Sequence, residues 1–209
     1  NPLLDNPSTC RYSHPMIHFP GTAESRLAAT LFLVEGDAFE LWCADNWFIR
    51  FPGRGRIKLE LTQAQRTYVE TLIANRYTIA LKARQIGFST VTAAYVFWAT
   101  FGYGDRAVVM LSKNQDAAID LLRLAKYGYS QLPQWVKDKG PLLENKNILS
   151  MTFSNYSQIE SLPSRDDPAR GKSLWLVVVY EMAFLTNPED AWASIEPVID
   201  VGGRLIALS

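Results

Sequence analysis

Cysteine and histidine are nearly missing from this chain, with two of each in 209 residues. Cys10 and Cys43 are too few for a disulfide framework, and that count fits a reducing compartment. A net charge is missing as well, since Lys+Arg and Asp+Glu both stand at 21. A free-standing nucleic-acid coat is normally basic, so any contact with DNA has to be local or shared with other chains. No run approaches the ~18 uninterrupted apolar residues of a membrane span. Residues 1–20 lack the basic start and apolar run of a secretory signal. These absences lead to the expectation of a soluble, intracellular protein with no membrane partner.

The few cysteines and histidines form one constellation. Cys10, His14 and His18 sit four apart with Cys43 downstream, a spacing that hints at zinc. Pro15 prevents a regular helix from aligning them, so they read as an irregular leader.

What is present is core material. A hydrophobic content of 48% supports a packed interior and excludes a disordered chain. No internal repeat or low-complexity tract occurs. Residues 1–25 read as a loose arm, and "AATLFLVEGDAFELWCADNWFIRF" (28–51) as strands or a helix-strand lead-in. The turn-rich "PGRGR" (52–56) divides a lead-in, 1–56, from a principal domain, 57–209. In "LTQAQRTYVETLIANR" (61–76), Leu61, Ala64, Tyr68, Leu72 and Ile73 recur at helical spacing and Thr62 can cap the helix. Apolar strands are expected at "YTIALK", "RAVVML", "ILSMTF", "SQIESL", "LWLVVVY" and "GRLIALS". Helices are expected over 89–101, 114–132 and 188–199. This alternation predicts an α/β fold, a mainly parallel sheet with helices on both faces.

In such sheets ligands bind beyond the carboxyl ends of the strands. "KARQIGFST" (82–90) lies between a strand and a helix and nearly matches the phosphate loop G-x-x-x-x-G-K-[ST]. Gly87, Ser89 and Thr90 fall at the proper distances, but Phe88 occupies the lysine's place and Lys82 stands where the first glycine belongs. Lys82 and Arg84 can meet phosphate oxygens, and Gly87 permits close backbone approach at a helix N-terminus. Ser89 can ligate Mg²⁺, with Thr90 beside it. "LWLVVVYEMAF" supplies the hydrophobic strand and Glu181 of a nucleoside triphosphatase, with Tyr180 in the first of two acidic places.

Taken together, these motifs resemble the ATPase domain of the large terminase subunit, the motor that packages DNA into tailed-phage and herpesvirus capsids. The match is nearly collinear over 61–209. "LTQAQ" resembles the family's adenine-recognition segment, with Gln65 at the glutamine position. "KARQIGFST" resembles its loop in the variant whose lysine comes first. "VVMLSKNQDAA", "QLPQWV", "ARGKSLWLVVVYEMAF" and "GGRLIALS" follow in the family's order.

The resemblance implies a P-loop ATPase fold of the ASCE type with ATP and Mg²⁺ as cofactors. It places the nucleotide on Gln65, Lys82, Ala83, Arg84, Gln85, Ile86, Gly87, Phe88, Ser89 and Thr90. Glu181, Arg84 and Arg170 become catalytic, Ser89 and Glu181 hold metal, and Ser209 couples hydrolysis to motion. Double-stranded DNA, a portal protein, a small terminase subunit and sister copies in a ring are the implied partners, in host cytoplasm and transiently on the procapsid. The family's nuclease domain has no counterpart before Ser209, so a fragment or split product is expected. Two other readings stand beside this one: a nucleotide-binding or assembly module weakened at Tyr180, and a helicase-type motor, whose usual acidic pattern "YEMAF" does not show.

Overall fold

A computed structural model describes residues 35–83, 85–164, 171–185 and 187–209. The candidate leader ligands Cys10, His14 and His18 lie outside them. The first element is helix α1 (Glu35–Asn46), followed by a hairpin of β1 (Phe48–Phe51) and β2 (Gly55–Lys58). The described part of the lead-in is therefore a helix-strand unit, and "PGRGR" spans the hairpin turn, with left-handed backbone at Gly53 and Gly55.

Helix α2 (Gln63–Ala74) begins at a complete capping box: Thr62 accepts from the Gln65 backbone while the Gln65 side chain accepts from the Thr62 N–H. Next come β3 (Tyr77–Ala80), α3 (Phe88–Gly102), β4 (Ala107–Ser112) and α4 (Gln115–Gln131). Asn114 caps α4 through the Ala117 N–H. A short α5 (Gln134–Lys139) leads to β5 (Leu143–Lys146), β6 (Ser150–Phe153) and β7 (Gln158–Pro163). The chain then runs through β8 (Leu176–Tyr180), α6 (Pro188–Asp200) and β9 (Arg204–Leu208).

Seven strands form one sheet in the order β3-β9-β8-β4-β7-β6-β5. Five of them, β3, β9, β8, β4 and β7, are parallel, and β6 and β5 add an antiparallel margin. The fold is mixed α/β with a mostly parallel sheet flanked by helices, as the alternation predicts. The strand β5 escaped sequence reading because its "LENK" is polar and largely exposed, as an edge strand can be.

Alternation along the strands divides the interior into two layers. Val108, Met110, Leu176, Val178 and Tyr180 face the side covered by α1 to α4. Val109, Leu111, Val177 and Val179 face α6 through Ala191, Ile195 and Val198. The larger layer is built around α3, whose residues Val91 through Phe101 are all buried. Phe97 stacks near Trp42, Trp47 and Phe101, and Phe39 meets Tyr95 and Trp98 edge-on. Residues of α1 and of the sheet thus share one core. No helix among the described residues is long and apolar enough to cross a membrane.

Two glycine substitutions should separate packing from backbone entropy. A Cβ at Gly128 on α4 would lie 2.0 Å from the Trp47 ring, whereas at Gly102 nothing lies within 4 Å. Gly128→Ala should destabilise the fold by about 1–3 kcal/mol through overpacking. Gly102→Ala should stabilise it by roughly 0.4–1 kcal/mol through the unfolded state. Urea unfolding followed by tryptophan fluorescence gives both signs.

Candidate functional site

The parallel strands end on one side of the sheet, at Ala80, Leu208, Tyr180, Ser112 and Pro163. β9 lies between the loop-bearing β3 and the acid-bearing β8. Beyond the regular ladder, Lys82 N–H donates to the Ser209 carbonyl at 2.9 Å and Ser209 N–H to the Ala80 carbonyl at 3.1 Å. The expected coupling residue therefore sits beside the root of the loop. Lys82 is half-buried, and its ammonium makes no ion pair among the described residues.

Backbone geometry shapes the loop. Gln85 and Gly87 are left-handed, at φ 64° and 79°, with Ile86 between them on the other side of φ. Such alternation turns N–H groups into a concavity suited to anions. Gly87 is also the N-cap of the 15-residue α3 and provides no side-chain acceptor, so the first N–H groups of that helix stay available. A Cβ on Gly87 would come 2.7 Å from Gln65 Nε2. Here both the conformation and the close approach require glycine. Ala83, Gln85 and Ile86 are exposed, while Ser89 and Thr90 are half-buried in the first turn. Arg84 lies outside the described residues.

Gln65 holds this loop. Its Nε2 donates to the Ile86 carbonyl at 2.9 Å while its Oε1 serves the capping box. Both ends of the amide are engaged and the residue is 8% exposed, so its work in this structure is to tie α2 to the loop. Phe88, in the place of the usual lysine, stacks on Tyr68 with centroids 4.3 Å apart and planes at 12°.

Below the first turn of α3, hydroxyls meet around Thr92. Its single proton goes to the Phe88 carbonyl at 2.8 Å, so Tyr68 is the donor in the 2.7 Å contact with Thr92 Oγ1. Tyr180 reaches the same place from β8. It is 4% exposed, and its phenol donates to the Ser89 carbonyl over a long 3.5 Å. Burial pushes the Tyr180 phenol well above its usual range, with the Tyr68 phenol adding to the rise and hydrogen bonding with Thr92 opposing it. Burial likewise raises Tyr68, against the same opposition from Thr92. Both phenols are neutral at physiological pH. Beside them Ser112, 1% exposed, has an Oγ with no hydrogen-bond partner among the described residues.

Glu181 follows β8 in a left-handed conformation, φ 52°. Its carboxylate pairs with Lys113 at 3.0 Å, both side chains about half exposed. Sequence reading passed over Lys113. The signal was available, because Lys113 is the first charged residue after β4, at a strand end where ligand groups are expected. Arg170, with Asp166 and Asp167, falls outside the described residues. Cys43 is buried in the aromatic core as a free thiol, its pKa raised by burial and by the nearby Glu40 charge. Among the described residues, no three His, Cys, Asp or Glu side chains come together to hold a metal.

Magnesium asks for hard oxygen ligands in near-octahedral order, usually including one or two carboxylates. The described strand ends offer hydroxyls from Ser89 and Ser112, a buried neutral phenol, and one carboxylate already neutralised by Lys113. That donor set does not fit a resident magnesium ion.

No protein-family model matches the sequence. Among solved structures, the HK97 bacteriophage large terminase superposes with a TM-score of 0.70 at 14% identity, over 85% of this chain and 38% of that one. The ATPase domain of the large terminase of Thermus phage P74-26 does so with a TM-score of 0.59 at 16% identity, over 72% of this chain and 64% of that domain. The fold is shared, and this chain spans less than two thirds of either protein.

The Gln65 tether can be tested directly. Gln65→Ala removes two hydrogen bonds and should cost about 1–3 kcal/mol. Hydrogen exchange should accelerate in residues 85–90 and at the start of α2, while β4 and β8 keep the parent's protection beyond the global loss.

Proposed function

We propose that this chain is the ATPase unit of a motor that drives double-stranded viral DNA into a procapsid. One observation carries the reading. The Gly87 loop and the strand carrying Glu181 converge, so that Tyr180 touches Ser89 across 91 residues of sequence. The shared fold with two terminase structures supports the same reading.

In this mechanism the N–H groups around Gly87 and the α3 N-terminus bind the triphosphate. Lys82 approaches it from the start of the loop, with a stem long enough to serve phosphates normally met by a lysine after the glycine. Arg84 adds a forked contact. Gln65 keeps the loop in its binding conformation. Glu181 orients and deprotonates the attacking water, which requires its carboxylate to leave Lys113 or to share it. Arg170 stabilises charge developing on the transferred phosphoryl group, from its own subunit or from a neighbour in a ring. Ser89 in the first turn of α3 would be the loop hydroxyl available to a magnesium ion carried by ATP, which would offset the charge of the phosphates. Ser209, bonded to Lys82 and Ala80 through its backbone, links the loop to β9 and carries the change of state outward. Portal protein, small terminase subunit and sister subunits complete the machine. A net charge of zero agrees with DNA being held by the assembly, not by this chain alone.

ATP hydrolysis measured with and without duplex DNA tests the proposal, and duplex stimulation without strand separation is the expected result. Lys82→Ala should weaken ATP binding and abolish hydrolysis with the fold intact by circular dichroism. Glu181→Gln should still bind ATP while turnover falls by about 10²–10⁴, the usual range for loss of a general base. Turnover in Glu181→Gln within about tenfold of the parent would exclude it as the base.

A further inference from the structure

The strand ends carry an unusual charge arrangement for a triphosphate site. Where two acids are expected, position 180 holds a neutral phenol, buried and turned to the Ser89 carbonyl. The remaining acid, Glu181, has Lys113 at 3.0 Å. The pair sums to zero, leaving no uncompensated anionic oxygen among the described residues of this row. A divalent cation placed here would be held by the nucleotide's own oxygens and opposed by the nearby ammonium.

Thermodynamic linkage turns this into a statement about nucleotide binding. The ratio of the protein's affinities for magnesium-bound and metal-free ATP equals the ratio of magnesium's affinities for bound and free ATP. A protein that adds no carboxylate to the metal's shell does not tighten magnesium on the bound nucleotide. It therefore gains nothing from the metal in binding the nucleotide. We propose that this site takes metal-free ATP with an affinity within about fivefold of that for the magnesium complex, because Tyr180 replaces the metal-directed acid and Lys113 neutralises the remaining one. This inference rests on the nucleotide-binding reading above and concerns binding, not turnover.

Calorimetric titration of this chain with ATP, in EDTA and in excess magnesium, reads the ratio directly. The parent should bind in EDTA no more than about fivefold weaker than in magnesium. Tyr180→Asp restores an anionic oxygen beneath the loop and should raise the preference for magnesium by about tenfold. Lys113→Gln, a surface change that folding tolerates, releases the Glu181 carboxylate and should shift the ratio the same way, so the test stands even where Tyr180→Asp fails to fold. A parent more than fivefold weaker in EDTA would overturn the inference and leave nucleotide binding intact. An unchanged ratio in Lys113→Gln would overturn the role given to the ion pair, and in a folded Tyr180→Asp, the role given to the phenol. No binding of ATP in either buffer would remove the nucleotide reading itself, and this inference with it.

Discussion

Helix α3 has to be buried on every side. Val91 through Phe101 form an unbroken buried run, which places apolar atoms around the whole circumference of the helix. A sheet can cover only one flank. The rest is closed by α1 with Phe39 and Trp42, by α2 with Tyr68, and by α4, whose Gly128 makes room for Trp47. Phe39, Trp42 and Trp47, all before residue 57, belong to this enclosure. At the strand ends the N-terminus of α3 emerges from this enclosure: Phe88, Ser89 and Thr90 are partly exposed, and Gly87 ends the helix without a side-chain cap. The same constraint that organises the core thus leaves one helix terminus, with its N–H groups, at the strand ends.

The polar residues near that terminus hold the loop from both sides. Gln65 bonds the Ile86 carbonyl from α2, and Tyr180 reaches the Ser89 carbonyl from β8. Tyr68 joins them by stacking on Phe88 and donating to Thr92. The neutral phenol at position 180 joins sheet to helix by packing and a long hydrogen bond. The carboxylate that follows it, Glu181, is half exposed and paired with Lys113. Exposed pairs of this kind are worth little to stability. The bond can therefore open at small cost.

Some of the site was legible before any coordinates. The strand-loop-helix setting of Gly87, the position of Lys82, and the acid after a hydrophobic strand were all plain from residue types and spacing. The resemblance places Gln65 at the adenine-recognition glutamine; that its amide also engages Thr62 and Ile86 was not legible, because the loop contact spans 21 residues of sequence. Lys113 went unnoticed because the sequence following β4 reads equally well as the cap of α4, which Asn114 indeed provides. The polar edge strand β5 was illegible because its pairing with β6, not its side chains, makes it a strand.

The sequence by itself determined the kinds of element and their order. Helix α2 with its capping box, the largely apolar α3 and the continuous apolar run of β8 follow from interactions among residues a few positions apart, which any window of the chain contains. Only the tertiary structure decided which strand ends meet. That β9 inserts between β3 and β8, that Tyr180 lies under Ser89, and that Glu181 finds Lys113 all depend on sheet order and register. Those are set by how two opposing layers of side chains pack across the sheet, and no local pattern encodes them.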